Sequence, residues 1–164
     1  MFAASRTTLA VIISCLVLAL SGCGFHLKRA SDLPADLMVM EVTATDPNSA
    51  LLERLITELE ISNVQVNKNL RANSPTLTLK SDALDRRVLS LFKNGQVAEY
   101  ELIYSVSYRI ERAGDKPIDQ FFELYRNYQD DPDNALAKAN EMNILLDELR
   151  KQASRRIVRE LAQL

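Results

Sequence analysis

Glu99-Tyr100-Glu101-Leu102-Ile103-Tyr104-Ser105-Val106-Ser107-Tyr108-Arg109-Ile110-Glu111 alternates apolar and polar side chains almost without a break. Tyr100, Leu102, Tyr104, Val106, Tyr108 and Ile110 fall on one side, and Glu99, Glu101, Ser105, Ser107, Arg109 and Glu111 on the other. Successive side chains of an extended strand point to opposite faces, so this period-two pattern predicts a β-strand with one face in a core and one in water. A sheet built around it needs a cover on one side only.

Working outward, Asn94-Gly95 precedes this strand, and that dipeptide tolerates the positive φ angles of a two-residue type I′ hairpin turn. The partner strand follows Ser74-Pro75, with Leu77, Leu79 and Ala83 alternating against Thr76, Thr78, Lys80 and Asp82. A less regular patch is expected at Asp85 to Arg87, before apolar residues resume through Phe92. On the other side, Gly114 to Pro117 marks a turn, and Ile118 to Tyr128 reads as a strand with aromatic residues on both faces.

Toward the N-terminus, Leu37 to Thr43 reads as a strand. Asp46-Pro47-Asn48 then supplies an N-cap candidate and a proline for a first helical turn. Leu51, Leu52, Leu55, Ile56 and Leu59 line one face of the helix that follows. The last element is a helix from about Asp133 to Leu161, with Leu136, Met142, Leu145, Leu146, Leu149, Ala153, Ile157 and Leu161 along its apolar stripe. The expected fold class is α+β, a single two-layer sandwich of a four-stranded mixed sheet with two helices on one face, in the order βαβββα. A strand-helix-strand crossover returns parallel, so the Lys93-Asn94 turn and the start of the last helix should share one end, with the N-terminal arm entering at the other.

The first residues carry a different kind of message. Leu9 to Leu20 is almost continuously apolar, follows a segment whose only charge is Arg6, and stops at Leu20-Ser21-Gly22-Cys23. Such a cassette describes an export signal, and its apolar stretch is shorter than the roughly 20 residues needed to cross a bilayer. Its ending resembles the bacterial lipoprotein box, in which the signal is removed and the cysteine is acylated. Residues 1–22 are therefore expected to be cleaved, Cys23 to be the lipid anchor, residues 23–36 to form the lipidated arm, and 37–164 to form one domain. Several acyl chains, at about 0.8 kcal/mol per buried methylene, hold a protein on a membrane where one chain does so only marginally. Gly24 follows the cysteine in place of the aspartate that signals inner-membrane retention, which favours the outer membrane.

Composition narrows the chemistry. The formal charge is −2, with 20 basic and 22 acidic residues, so no broad basic face is available for nucleic acid. With Cys15 in the signal and Cys23 acylated, no thiol chemistry is expected. Tryptophan is absent and only one histidine, His26, is present, which reads as a tether residue without partners for a metal. Asp130, Asp131 and Asp133 lack the glycine and distal glutamate of a calcium loop and read as helix-capping residues. Glu99 and Glu101 share the polar face of a strand, which is ordinary solvent patterning. No nucleophile elbow, zinc helix or phosphate loop is present, so no catalytic residue, metal or cofactor is expected.

Three motifs carry a resemblance to a known family. Cys23-Gly24-Phe25-His26-Leu27, then Phe92-Lys93-Asn94-Gly95-Gln96 with Ala98-Glu99-Tyr100, then Asn134-Ala135-Leu136-Ala137-Lys138-Ala139-Asn140-Glu141, in this spacing, resemble the LptE lipopolysaccharide-assembly lipoproteins. The resemblance runs from Cys23 to about Leu161. It implies a non-enzymatic plug inside the LptD outer-membrane β-barrel, forming a heterodimer on the periplasmic side and within the barrel lumen, and binding lipopolysaccharide. It also implies lipopolysaccharide-binding roles for Lys93 and Lys138. Better-known members carry arginine at the tip, and the lysine here keeps the positive charge but loses the bidentate fork. Some members carry a polar tail after the last helix; this sequence ends at Leu164, so a function resting on such a tail is not expected.

Each candidate also has a plainer reading. Lys93 could merely keep a turn in water. Lys138 lies early in its helix, where the macrodipole disfavours a cation; a phosphate would explain it, and so would pairing with Glu141 or Asp133. Phe92 either faces a partner or caps the core. Arg150, Lys151, Arg155, Arg156 and Arg159 suit the C-terminal half of a helix and form either a solvated face or a contact with an acidic barrel wall. Two rival functions remain, a structural plug and chaperone that never touches lipid, and a stand-alone lipid carrier, which would need an enclosed apolar cavity.

Overall fold

The computed structural model describes residues 33–67, 74–131 and 134–164. Cys23, His26, the signal and Asp133 lie outside them. The elements are β1 (Val39–Ala44), α1 (Ala50–Ile61), β2 (Gln65–Val66), β3 (Thr76–Leu91), β4 (Val97–Glu111), β5 (Ile118–Gln129) and α2 (Ala135–Leu161). They form one mixed sheet in the order β2-β1-β3-β4-β5. β1 runs parallel to β2 and β3, whereas β3, β4 and β5 are antiparallel. The α+β class, with two helices and one mixed sheet, matches the expectation, but the sheet has five strands where the sequence suggested four.

The extra strand follows from how α1 ends. Asn63 adopts φ 62°, its N–H donates to the Glu60 carbonyl, and the Val64 N–H reaches back to the Leu59 carbonyl, which closes the helix with a Schellman motif. Val64 is thereby buried with Leu59, and the chain is aimed along the outer side of β1, where Gln65 and Asn67 donate to Met38 and Met40. Two residues are too few to show an alternation. At the other end of α1 the cap is Ser49, whose Oγ accepts from the Leu52 N–H, while Asp46 shapes the preceding turn by accepting from Asn48.

Nor is β3 interrupted at Asp85 to Arg87. Its register slips by one residue between Leu79 and Ser81, so Leu77 and Leu79 share a face with Ile110 and Tyr108, and Asp82, Leu84, Arg86 and Val88 then share that face with Val106, Tyr104, Leu102 and Tyr100. A bulge switches which parity faces the core. The pattern looked irregular because its phase changed.

The core lies between the sheet and the helices. It contains Leu51, Leu55 and Leu59 of α1, Leu149, Ala153, Ile157 and Leu161 of α2, and Leu102, Tyr104, Val106, Tyr108 and Ile110 of β4. Burying side chains of this size contributes about 1.5–3 kcal/mol each. Leu33, before a short 3₁₀ turn (Ala35–Leu37), and Leu37, its last residue, belong to the same core, so β1 begins only at Val39.

β1 accompanies β3 only as far as the pair Ala44 and Leu79. The sheet therefore has a lower half of five strands beneath both helices and an upper half in which β3, β4 and β5 continue alone. α2 starts over the upper half, where the Tyr128 hydroxyl donates to the Lys138 carbonyl at 3.2 Å, and ends over the lower, where the Tyr108 hydroxyl donates to Glu160 at 2.6 Å. Its apolar stripe is buried from Leu149 onward, but Leu136 is 80% exposed, contrary to expectation, because its turn stands beyond the covered part of the sheet. The first described residues lie at the bottom, where Arg112 pairs with Asp36 at 2.8 Å. Among the described residues no helix is long and apolar enough to cross a membrane.

Candidate functional site

The upper end of the molecule is built around the β3–β4 hairpin. The Phe92 N–H donates to the Gln96 carbonyl and the Gly95 N–H to the Phe92 carbonyl. Within this turn only Gly95 has positive φ, at 85°. The tip is thus a three-residue loop, Lys93-Asn94-Gly95, with a left-handed glycine, and not the two-residue turn the dipeptide suggested. Asn94 stiffens it, since its Oδ1 accepts from the Gln96 N–H and its Nδ2 donates to the Gln96 side chain at 2.7 Å. Lys93 stands exposed on this loop and makes no ion pair among the described residues. Phe92 is half exposed and borders a shallow cleft of about 320 Å³ with Ser90, Glu99, Gln129 and Asp130.

Asp130 also borders a second cleft, of about 340 Å³, formed with Arg86, Tyr128, Asp131, Lys138 and Met142. Lys93, one residue beyond Phe92, and Lys138 therefore belong to the same end of the molecule, at the opposite end from Leu33 to Leu37. Lys138 Nζ pairs with Glu141 Oε2 at 2.8 Å and lies 5.2 Å from the centre of the Tyr128 ring. The Glu141 carboxylate raises its pKa above the ordinary lysine value, so the cation is fully charged at neutral pH. The plainer reading of Lys138, pairing with Glu141, is therefore realised, and Lys138 also lines the cleft wall. Burial, ahead of the charge of Asp130, pushes the Tyr128 phenol up as well.

Arg86 was not anticipated as a site residue. It reaches the cleft from β3, 5.1 Å from the centre of the Tyr100 ring. The bulge after Leu79 is what puts Arg86 on the face of Tyr100, a shift the plain alternation of β3 does not display.

The cations of α2 divide between two roles. Arg156 pairs with Glu160 at 2.8 Å and lies 4.3 Å from the Phe122 ring centre, and Arg155 meets Glu58 at 3.4 Å. Arg150 stands near Tyr104, whose hydroxyl donates to Asp82 at 2.7 Å, while Ser49 donates to the other oxygen of Asp82 at 3.1 Å. These three arginines serve the packing of the lower half, and Lys151 and Arg159 face solvent. Asp130 Oδ1 accepts from the Asp131 N–H, and the N-cap of α2, Asn134, makes no side-chain cap bond. Among the described residues no group of three histidine, cysteine or acidic side chains is placed to hold a metal ion.

A family model described as "LptE: Lipopolysaccharide-assembly" matches residues 37–161. The LPS-assembly lipoprotein LptE of Photorhabdus laumondii is 31% identical over 153 residues, covering 93% of this chain and 84% of its own. That of Pectobacterium atrosepticum is 30% identical over 152 residues, covering 92% and 83%. Among solved structures, the rare lipoprotein B of Shewanella oneidensis superposes with a TM-score of 0.71 at 36% identity, covering 76% of this chain and 94% of that one.

Proposed function

The chain belongs to the LptE family of lipopolysaccharide-assembly lipoproteins, and we propose that it is an outer-membrane plug that pairs with an LptD-type β-barrel and binds lipopolysaccharide at its tip. The observation that supports this reading is that Lys93 and Lys138 lie toward the same end of the domain, away from the residues that lead back to Cys23. A leash held by acyl chains on Cys23 would keep the bottom at the membrane's inner surface and leave the tip free to extend into a lumen. There the two cations compete for lipid phosphates that divalent cations otherwise bridge, which loosens aggregates and presents single molecules to the barrel. No catalytic step is part of this role.

Partner contact has its own support. Leu84, Val88, Leu89 and Leu91 of β3 are exposed along the part of the strand that leads to Phe92, where β4 pairs with one side and no strand pairs with the other above Leu79 among the described residues. Clusters of this kind mark interaction surfaces. They also favour the second reading, a barrel plug and chaperone without direct lipopolysaccharide contact.

The double variant Lys93→Glu with Lys138→Glu separates the two. Loss of lipopolysaccharide binding with undiminished copurification of the barrel from solubilised outer membranes is the expected result. Unchanged lipopolysaccharide binding removes the ligand role and leaves the structural plug. Failure to copurify any barrel with the wild-type chain removes both.

A further inference from the structure

At the upper end, Val88, Tyr100 and Tyr128 form one row across three strands, because Val88 pairs with Tyr100 and Tyr100 with Tyr128. Arg86 lies against the first tyrosine ring at 5.1 Å and Lys138 against the second at 5.2 Å. Two cations from different elements, a strand and a helix, thus flank one cleft lined by the Tyr128 ring, while Tyr100 stands behind Arg86. Their surroundings differ. Lys138 is held by Glu141, whereas the guanidinium of Arg86 makes no ion pair among the described residues, although its neighbours Arg87 and Arg126 pair with Glu101 and Glu148.

From this juxtaposition we propose that Arg86 is a specificity-determining residue of the lipopolysaccharide site, gripping a phosphomonoester of the lipid headgroup between its own guanidinium and the Lys138 ammonium. The inference rests on the lipopolysaccharide-binding reading above and names the group that is recognised. A guanidinium offers a planar pair of donors to two phosphate oxygens, and an ammonium acts as a point charge. The fork that a lysine at the tip cannot supply is thereby present farther down β3, on the wall of the cleft that Lys138 lines. Stacking on Tyr100 holds the guanidinium plane before the ligand arrives, so less side-chain freedom is lost on binding. Asp130 and Asp131 on the same rim oppose a dianion and keep the grip weak, which suits a ligand that must move on.

The test uses the full-length lipidated chain in detergent, titrated with lipopolysaccharide, with the same lipopolysaccharide after phosphatase treatment, and with inorganic phosphate as competitor. Arg86→Gln is expected to weaken binding of intact lipopolysaccharide by about tenfold, the size of one charge-assisted hydrogen-bonded contact, with Arg86→Lys intermediate. The phosphatase-treated ligand is expected to bind wild type and Arg86→Gln equally. Asp130→Asn is expected to tighten binding of the intact ligand, and it serves as an independent variant should Arg86→Gln fail to fold. Equal affinity of Arg86→Gln and wild type for intact lipopolysaccharide, or no gain in Asp130→Asn, overturns the inference. So does an equal loss for both ligands. Complete displacement by inorganic phosphate at the lipid's own concentration overturns the headgroup assignment in favour of free phosphate. If Lys93→Glu with Lys138→Glu abolishes binding while Arg86→Gln leaves it intact, only this inference falls. If neither changes binding, the lipopolysaccharide-binding reading falls with it.

Discussion

The lower and upper halves of the sheet are made of the same three long strands, yet the apolar residues of β3 meet opposite surroundings in the two, while Leu102 and Tyr104 of β4 stay buried in the upper half. Below, Leu77, Leu79, Tyr108 and Ile110 are buried under α1 and the end of α2. Above, on the same face of the same β3, Leu84 and Val88 are exposed, and the first turns of α2 hold Leu136 and Ile144 in solvent. Side-chain alternation reports only the direction in which a residue points. Whether anything covers it depends on where β1 stops and how α2 crosses, and here the uncovered half carries Phe92, Lys93, Arg86 and Lys138.

The comparison breaks first, and hardest, on truncation of one side chain in each half of α2. Ile157→Ala, at a fully buried position, should cost about 2–5 kcal/mol, because the lower core cannot collapse onto the cavity. Ile144→Ala, 61% exposed in the upper half, should change stability by no more than about 0.5 kcal/mol. Urea unfolding of both variants checks this. Similar losses would mean that the upper turns are packed in solution as firmly as the lower ones.

A smaller effect sharpens the picture of the lower half and of the network at its upper boundary. Burial, then the hydrogen bonds to Asp82 and Glu160, hold the phenols of Tyr104 and Tyr108 well above their usual pKa of 10.0. In the unfolded chain they ionise near 10, so the unfolded state loses its protons first. Stability is therefore unaffected by these groups below about pH 10 and falls above it, at about 1.4 kcal/mol per pH unit for each tyrosine. Denaturation midpoints followed from pH 8 to 11 should show this alkaline limb. The pair Tyr104→Phe and Tyr108→Phe should flatten it, and an unchanged slope in that variant would assign the limb to other groups.

Legibility in the sequence followed the same division. The strand around Tyr104, the helix face of Leu51, Leu55 and Leu59, and the buried run of α2 from Leu149 to Leu161 were readable because continuous cover lets periodicity speak directly. β2 was not, since Gln65 and Val66 take their place from the αL turn at Asn63 and from β1. The slip after Leu79 inverted the phase of β3 and hid Arg86 in what looked like an irregular patch. The tip loop was misjudged by one residue because Asn94-Gly95 suits both turn types, and Phe92 with Gln96 decides between them. Lys93 and Lys138 were named only through family resemblance. Their positions in the chain are distant, and no spacing rule joins a hairpin tip to the second turn of a helix 45 residues later.

The smallest expected change in stability is also the most direct probe of what the upper half is for. Leu91 is 60% exposed at the end of β3, next to Phe92 and close to the tip. Leu91→Glu adds a charge where the isolated domain already exposes the side chain, so unfolding should shift by no more than about 0.5 kcal/mol. If this edge meets a barrel wall, the same carboxylate must lose its water on docking, a cost of several kcal/mol for an unpaired buried charge. Copurification with the barrel should then fall sharply while the melting transition stays in place. Retained copurification would move the partner surface off the β3 edge, and a large loss of stability would show that Leu91 is covered in solution, so that cover no longer distinguishes the two halves.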